Sequence, residues 1–94
     1  MNLEINKEIV FSSSHISKSD NTNLLLNYND DFILYQYEYG FRIYVSEDLD
    51  KKCLSVEMSN AFWKLVKIAK DNGCKWLLLD CDGQTYKELE QFTW

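Results

Sequence analysis

"KWLLLDCDGQT", residues 75–85, is the stretch on which the fold turns. Trp76-Leu77-Leu78-Leu79 is a continuous apolar run between Lys75 and Asp80. A strand of this kind, without polar alternation, reads as central and covered on both sides. Asp80, Cys81, Asp82 and Gly83 then read as the turn that ends it. The carboxylates would accept turn N–H bonds, and Gly83 would take positive φ.

Working outward, Ser59 to Asn72 has the strongest helical pattern. Phe62, Leu65, Val66 and Ala69 fall at i, i+3, i+4 and i+7, a core-facing stripe. Ser55 or Ser59 caps its start, and Gly73 ends it. Lys67 and Lys70 near its end suit the helix dipole. Phe32 to Glu38 and Phe41 to Ser46 are rich in β-branched and aromatic residues and read as a hairpin, with Gly40 supplying the tight turn. On the second of these strands Phe41, Ile43 and Val45 share one face and Arg42 and Tyr44 the other. On the first, Ile33, Tyr35 and Tyr37 alternate with Phe32, Leu34 and Gln36. Aromatics on both faces imply that one face is only partly covered. Glu8 to Ser12 reads as a short strand. Ser17 and Asp20 resemble a capping box for a short helix ending near Asn27. Residues 46–53 form a charged loop, and Thr85 with Glu88 has the spacing to start one helical turn.

The expected order is strand, helix, strand, strand, helix, strand. That order is the β-α-β-β-α-β, or ferredoxin-like split β-α-β, pattern. The expectation is a single α+β domain over residues 1–94, an antiparallel sheet with its helices on one face.

Composition narrows the function classes. The chain has 94 residues, 46% apolar and 15% aromatic, with three glycines and no proline. It is neither linker-rich nor of disordered composition. Its apolar runs are too short to span a bilayer, and MNLEINKEIV shows no signal-peptide pattern, so a soluble, cytoplasmic protein is expected. Cys53, Cys74 and Cys81 show neither disulfide nor Cys-x-x-Cys spacing and read as free thiols, with Cys74 and Cys81 near the core. Fifteen acids against ten bases give a net charge of −5. Arg42 is the single arginine. Direct nucleic-acid binding is not expected of such a surface, whereas a basic protein partner is.

Candidate chemistry is sparse. An apolar strand followed by Asp80-x-Asp82-Gly83 and Thr85 resembles the nucleophile motif of haloacid-dehalogenase-like phosphatases. That motif opens a large α/β domain, and here only 11 residues follow Gly83. An EF-hand loop counted from Asp80 would need Gly sixth and Glu twelfth; Gly83 is fourth and Gln91 twelfth. A divalent-metal site of Asp80, Asp82 and His15 is the remaining catalytic candidate. His15 lies in Ser12-Ser13-Ser14-His15-Ile16-Ser17, where adjacency in sequence makes no triad and no Gly-x-Ser-x-Gly elbow exists. The simpler reading is a strand-to-helix connection in which imidazole and hydroxyls bond local backbone. Tyr35, Tyr37 and Tyr44 would form a sticky patch if one sheet face is open.

Several of these pieces resemble a known set in order. Ser12-Ser-Ser-His15-Ile16 is similar to a Ser-Thr-Ala-His-Ile opening, and Tyr37-Glu-Tyr-Gly40-Phe41 to a Tyr-x-Tyr-Gly-aromatic hairpin. Leu79-Asp80-x-Asp82-Gly83 and Leu89-x-x-Phe92-x-Trp94 follow. Together they resemble a family of small bacterial proteins of unknown function. Its members tend to be encoded on plasmids and prophages, near anti-restriction genes. The resemblance implies a mobile-element accessory protein that counters host defence. It also places His15 and the Asp80/Asp82 pair in recurring motifs.

The leading expectation is a non-enzymatic protein-binding module that acts by occupying a partner's surface. Its contacts would be Tyr35, Tyr37, Tyr44, Glu47, Asp48 and Asp50, with no cofactor. The alternative is a small metal-dependent enzyme using His15, Asp80 and Asp82. A third reading is small-ligand binding in a homo-oligomer.

Overall fold

A computed structural model describes residues 1–50 and 54–94. The expected thiol of Cys53 and the end of the charged loop lie outside the described residues. Among the described residues, four strands and two α-helices run in the expected order: β1 (Lys7–Ser12), α1 (Lys18–Leu26), β2 (Leu34–Tyr37), β3 (Gly40–Tyr44), α2 (Asn60–Asp71) and β4 (Cys74–Asp80).

The strands form one sheet in the order β1-β4-β3-β2. β4 pairs parallel with β1 and antiparallel with β3, and β3 pairs antiparallel with β2. The fold is therefore α+β with a mixed sheet, and the antiparallel ferredoxin-like sheet is corrected. That arrangement would leave β4 at an edge. Its apolar run instead takes an interior place, where Leu77 and Leu79 are fully buried. The edge falls to β1, whose Lys7 and Glu8 tolerate water.

One face of the sheet carries the core. Phe11, Phe41, Ile43, Val45, Leu77 and Leu79 meet Leu24 of α1 and Phe62, Leu65, Val66 and Ala69 of α2 in one cluster. Burying each large side chain is worth about 1.5–3 kcal/mol. The i, i+3, i+4, i+7 stripe of α2 is buried as its spacing predicts. The opposite face is different. Trp76, Leu78 and Asp80 of β4 are only half-buried there. Cover on both sides, expected from the apolar run, is thus corrected to cover on one.

Asp20 joins the two helices. Its carboxylate completes the capping box of α1 by accepting the Ser17 N–H at 3.0 Å. It also accepts the Ser59 N–H at 2.8 Å and the Ser59 hydroxyl at 2.5 Å. Ser59 in turn caps α2 through the Phe62 N–H. One fully buried carboxylate thus lies at the N-termini of two helices, where their dipoles favour negative charge.

Two glycines permit close backbone contacts. A Cβ on Gly40 would lie 1.7 Å from the Leu79 carbonyl oxygen. A Cβ on Gly83 would lie 2.8 Å from the backbone of Phe11. Gly83 does not have the expected positive φ; its role is to let the turn after β4 touch the end of β1.

The tail from Gln84 docks across the segment that follows β1. The Gln84 carbonyl accepts the Ser12 N–H at 3.1 Å, the Phe92 N–H donates to the Ser14 carbonyl at 2.7 Å, and the Trp94 indole N–H donates to the Ile16 carbonyl at 2.9 Å. The helical turn expected from Thr85 is replaced by a simple turn closed from Leu89 N–H to the Tyr86 carbonyl. The backbone of Tyr86 and Glu90 is held by His15, which draws the segment out of helical register. Of the cysteines, Cys74 is buried as expected, and Cys81, expected near the core, is exposed on the turn.

Candidate functional site

The sheet register collects the candidate surface. Residues opposite one another across neighbouring strands point to the same face. Tyr35 is opposite Arg42, Arg42 opposite Leu78, Leu78 opposite Val10, and Tyr44 opposite Trp76. This is the face away from the core. Trp76 is its centre. The Tyr44 ring lies 5.2 Å from it at 63°, and the Tyr35 ring 5.9 Å away at 42°. The Arg42 guanidinium carbon sits 3.7 Å from the Trp76 ring centroid. At a half-exposed site such a cation–π contact is worth about 0.5–1 kcal/mol. The chain's single arginine is therefore engaged on its own aromatic surface. Tyr35 remains 60% exposed, so the cluster is open to solvent.

At the other end of this face Tyr37 meets Asp80. The Tyr37 hydroxyl donates to Asp80 Oδ2 at 2.8 Å. Its pKa is pushed up to about 12, first by burial and then by the carboxylate it bonds. Asp80 Oδ1 accepts the Asp82 N–H at 2.8 Å, and the Asp80 carbonyl accepts the Gly83 N–H at 2.9 Å. Asp80 ties down the turn, as its position at the strand end suggests. Ligand atoms of Asp80, Cys81 and Asp82 lie within 4.8 Å of one another. Two carboxylates beside a thiol mix hard and soft donors, an unselective set for any one metal.

His15 is not a member of that group. It is fully buried between the β1–α1 connection and the tail. Its Nδ1 lies 2.8 Å from the Glu90 carbonyl, and its Nε2 lies 3.0 Å from the Tyr86 N. A carbonyl can only accept and an amide N–H can only donate. The imidazole is therefore the Nδ1–H tautomer, with Nε2 accepting. Both nitrogens are spent on backbone 71 and 75 residues away in sequence, not on the local backbone expected. A cavity of about 180 Å³ beside it is lined by Asn60, Lys64, Leu89 and Glu90 among others.

The acidic loop after β3 has Glu47, Asp48 and Asp50 exposed around a buried Leu49. Lys70 of α2 holds it by donating to the carbonyls of Glu47 and Leu49, at 3.3 and 2.6 Å. The structure thus brings Tyr35 and Tyr44 together, sets Tyr37 beside Asp80 and Tyr39, and leaves His15 in a separate, buried place.

Residues 9–94 match a family described as "Family of unknown function (DUF5983) C-terminal domain". The chain belongs to the DUF5983 family. The DUF5983 match takes in β2, β3 and β4 whole and β1 from Ile9 onward, with the docked tail. No curated protein and no solved structure matches the chain. Within this DUF5983 domain, sequence reasoning missed Trp76 as a surface residue. Its place in an apolar run pointed to the core. The signal that finds it is register: Trp76 alternates with the fully buried Leu77 and shares the face of Leu78 and Asp80.

Proposed function

We propose that the chain is a protein-binding module that occupies the surface of a basic partner, with the helix-free sheet face as its contact surface. The observation that carries this reading is the cluster of Tyr35, Tyr44 and Trp76 on a face that neither helix covers. Rigid aromatic side chains are the usual anchors of binding energy at interfaces. A net charge of −5 steers such a protein toward a basic surface and speeds encounter at low salt. Glu47, Asp48 and Asp50 add exposed negative charge, and the tie between Tyr37 and Asp80 stiffens one end of the face. On this reading the protein is a cytoplasmic accessory of a mobile element that blocks a host defence component by covering it. That context is what the family resemblance implies. The binding reading is favoured over a metal-dependent enzyme because both nitrogens of His15 are engaged by backbone.

The test is capture from host lysate with the native chain and with Tyr35→Ala and Tyr44→Ala, each checked for native circular dichroism. A partner retained by the native chain, released by salt and lost from both variants is expected. Equal retention by all three chains sinks the reading.

A further inference from the structure

The two edges of the sheet are unlike. β1 carries Lys7 and Glu8, with a register shift between them, which blunts it against further pairing. β2 reads Leu-Tyr-Gln-Tyr, with no charge, proline or register shift. Its ladder to β3 pairs Tyr35 with Arg42 and Tyr37 with Gly40, and the Tyr44 N–H donates to the Ile33 carbonyl at 2.8 Å. Antiparallel pairs alternate between hydrogen-bonded and non-bonded residues. Tyr35 and Tyr37, with the Ile33 carbonyl, therefore spend their backbone groups on β3, and those of Leu34 and Gln36 point outward. Ile33 and Tyr35, beside this edge, are 62% and 60% exposed. The charges that flank β2 in the chain are acidic: Asp30 and Glu38 are both exposed, while Arg42, opposite Tyr35 on β3, has its guanidinium over the Trp76 ring.

We infer that the outer edge of β2 takes an extended basic segment of the partner as an added strand, hydrogen-bonded to the backbone of Leu34 and Gln36. Cations of that segment lie near Asp30 and Glu38, and its apolar side chains lie against Ile33 and Tyr35. Strand addition of this kind draws affinity from the backbone and specificity from alternate side chains. The inference rests on the protein-binding reading above and names its mode. A second copy of the chain fits less well, because it would set these acids against their own kind.

The probe is a fluorophore-labelled eight-residue peptide alternating lysine with valine, followed by anisotropy, beside one alternating glutamate with valine. The lysine peptide is expected to bind and the glutamate peptide not. Gln36→Pro removes an outward N–H and leaves the ladder to β3 intact, so it should weaken binding about tenfold. Gln36→Lys should weaken it and Gln36→Glu tighten it, which decides the matter even if the proline variant fails to fold. No binding of the lysine peptide, equal binding of both peptides, or no effect of the Gln36 variants overturns the inference. So does a native dimer in sedimentation that Gln36→Pro dissociates, which would seat a second copy at the edge. In lysate capture, a partner kept by Gln36→Pro and lost from Tyr35→Ala and Tyr44→Ala overturns strand addition alone. A partner kept by every variant sinks both readings.

Discussion

Tyr37 and Asp80 show how one side chain on the helix-free face reports on its neighbour. Burial and the donated hydrogen bond hold the Tyr37 proton up to about pH 12, against 10.0 for an unperturbed phenol. The folded state therefore keeps that proton more tightly than the unfolded chain. Its contribution to stability is complete below pH 10 and is lost as pH rises toward 12. In an absorbance titration at alkaline pH, the Tyr37 phenol should ionise well above 10.0, near pH 12. Asp80→Asn should move it down part of the way, since burial remains. Gly83 makes a second residue-scale case. Any Cβ there meets the backbone of Phe11 and Ser12, which has no rotamer to yield. Gly83→Ala should cost about 1–3 kcal/mol in denaturant unfolding, the usual penalty of overpacking.

Among the elements, the two helices are coupled through a single carboxylate. Asp20→Ala removes a cap from α1 and orphans both donors of Ser59, so it should destabilise by about 2–4 kcal/mol. Ser59→Ala should cost less. The double variant should cost less than the sum, a non-additivity that a double-mutant cycle in urea would measure. Asp20 also marks the limit of what was legible in the sequence. Its capping box with Ser17 is a local pattern, and the helix forms where that pattern puts it. Nothing local says that the same carboxylate reaches residue 59. The sheet divides in the same way. The apolar run of β4 announced an interior strand, and the hairpin announced β2 beside β3. The parallel partner of β4 could not be read, because β1 is distant in sequence and both its faces are compatible with several neighbours. At the candidate surface, alternation along two strands picked out Tyr35, Tyr37 and Tyr44. Trp76 and its contact with Arg42 needed the register between β3 and β4, which only the folded sheet supplies.

For the molecule as a whole, the two termini differ in worth. Met1, Leu3 and Ile5 are exposed, and β1 starts at Lys7. Removing residues 1–6 should leave stability unchanged within about 0.5 kcal/mol. Removing residues 91–94 takes away the N–H of Phe92 and the indole of Trp94, together with the bonds they make to Ser14 and Ile16. That truncation should lower stability by about 1–3 kcal/mol, and thermal melts of the two truncated chains would separate them. The tail contact has a further consequence, which concerns the order of events on the ribosome. His15 finds its backbone partners 71 and 75 residues later, and Ile16 meets Trp94 after 78. β1 emerges before its sheet partner β4, and the segment after it before its tail contacts, so both must wait until those are made. Closing such distant contacts slows folding and leaves apolar surface open meanwhile. A nascent chain stalled before β4 would expose Phe11 and Ile16, and it is at that stage that a chaperone has the most to hold.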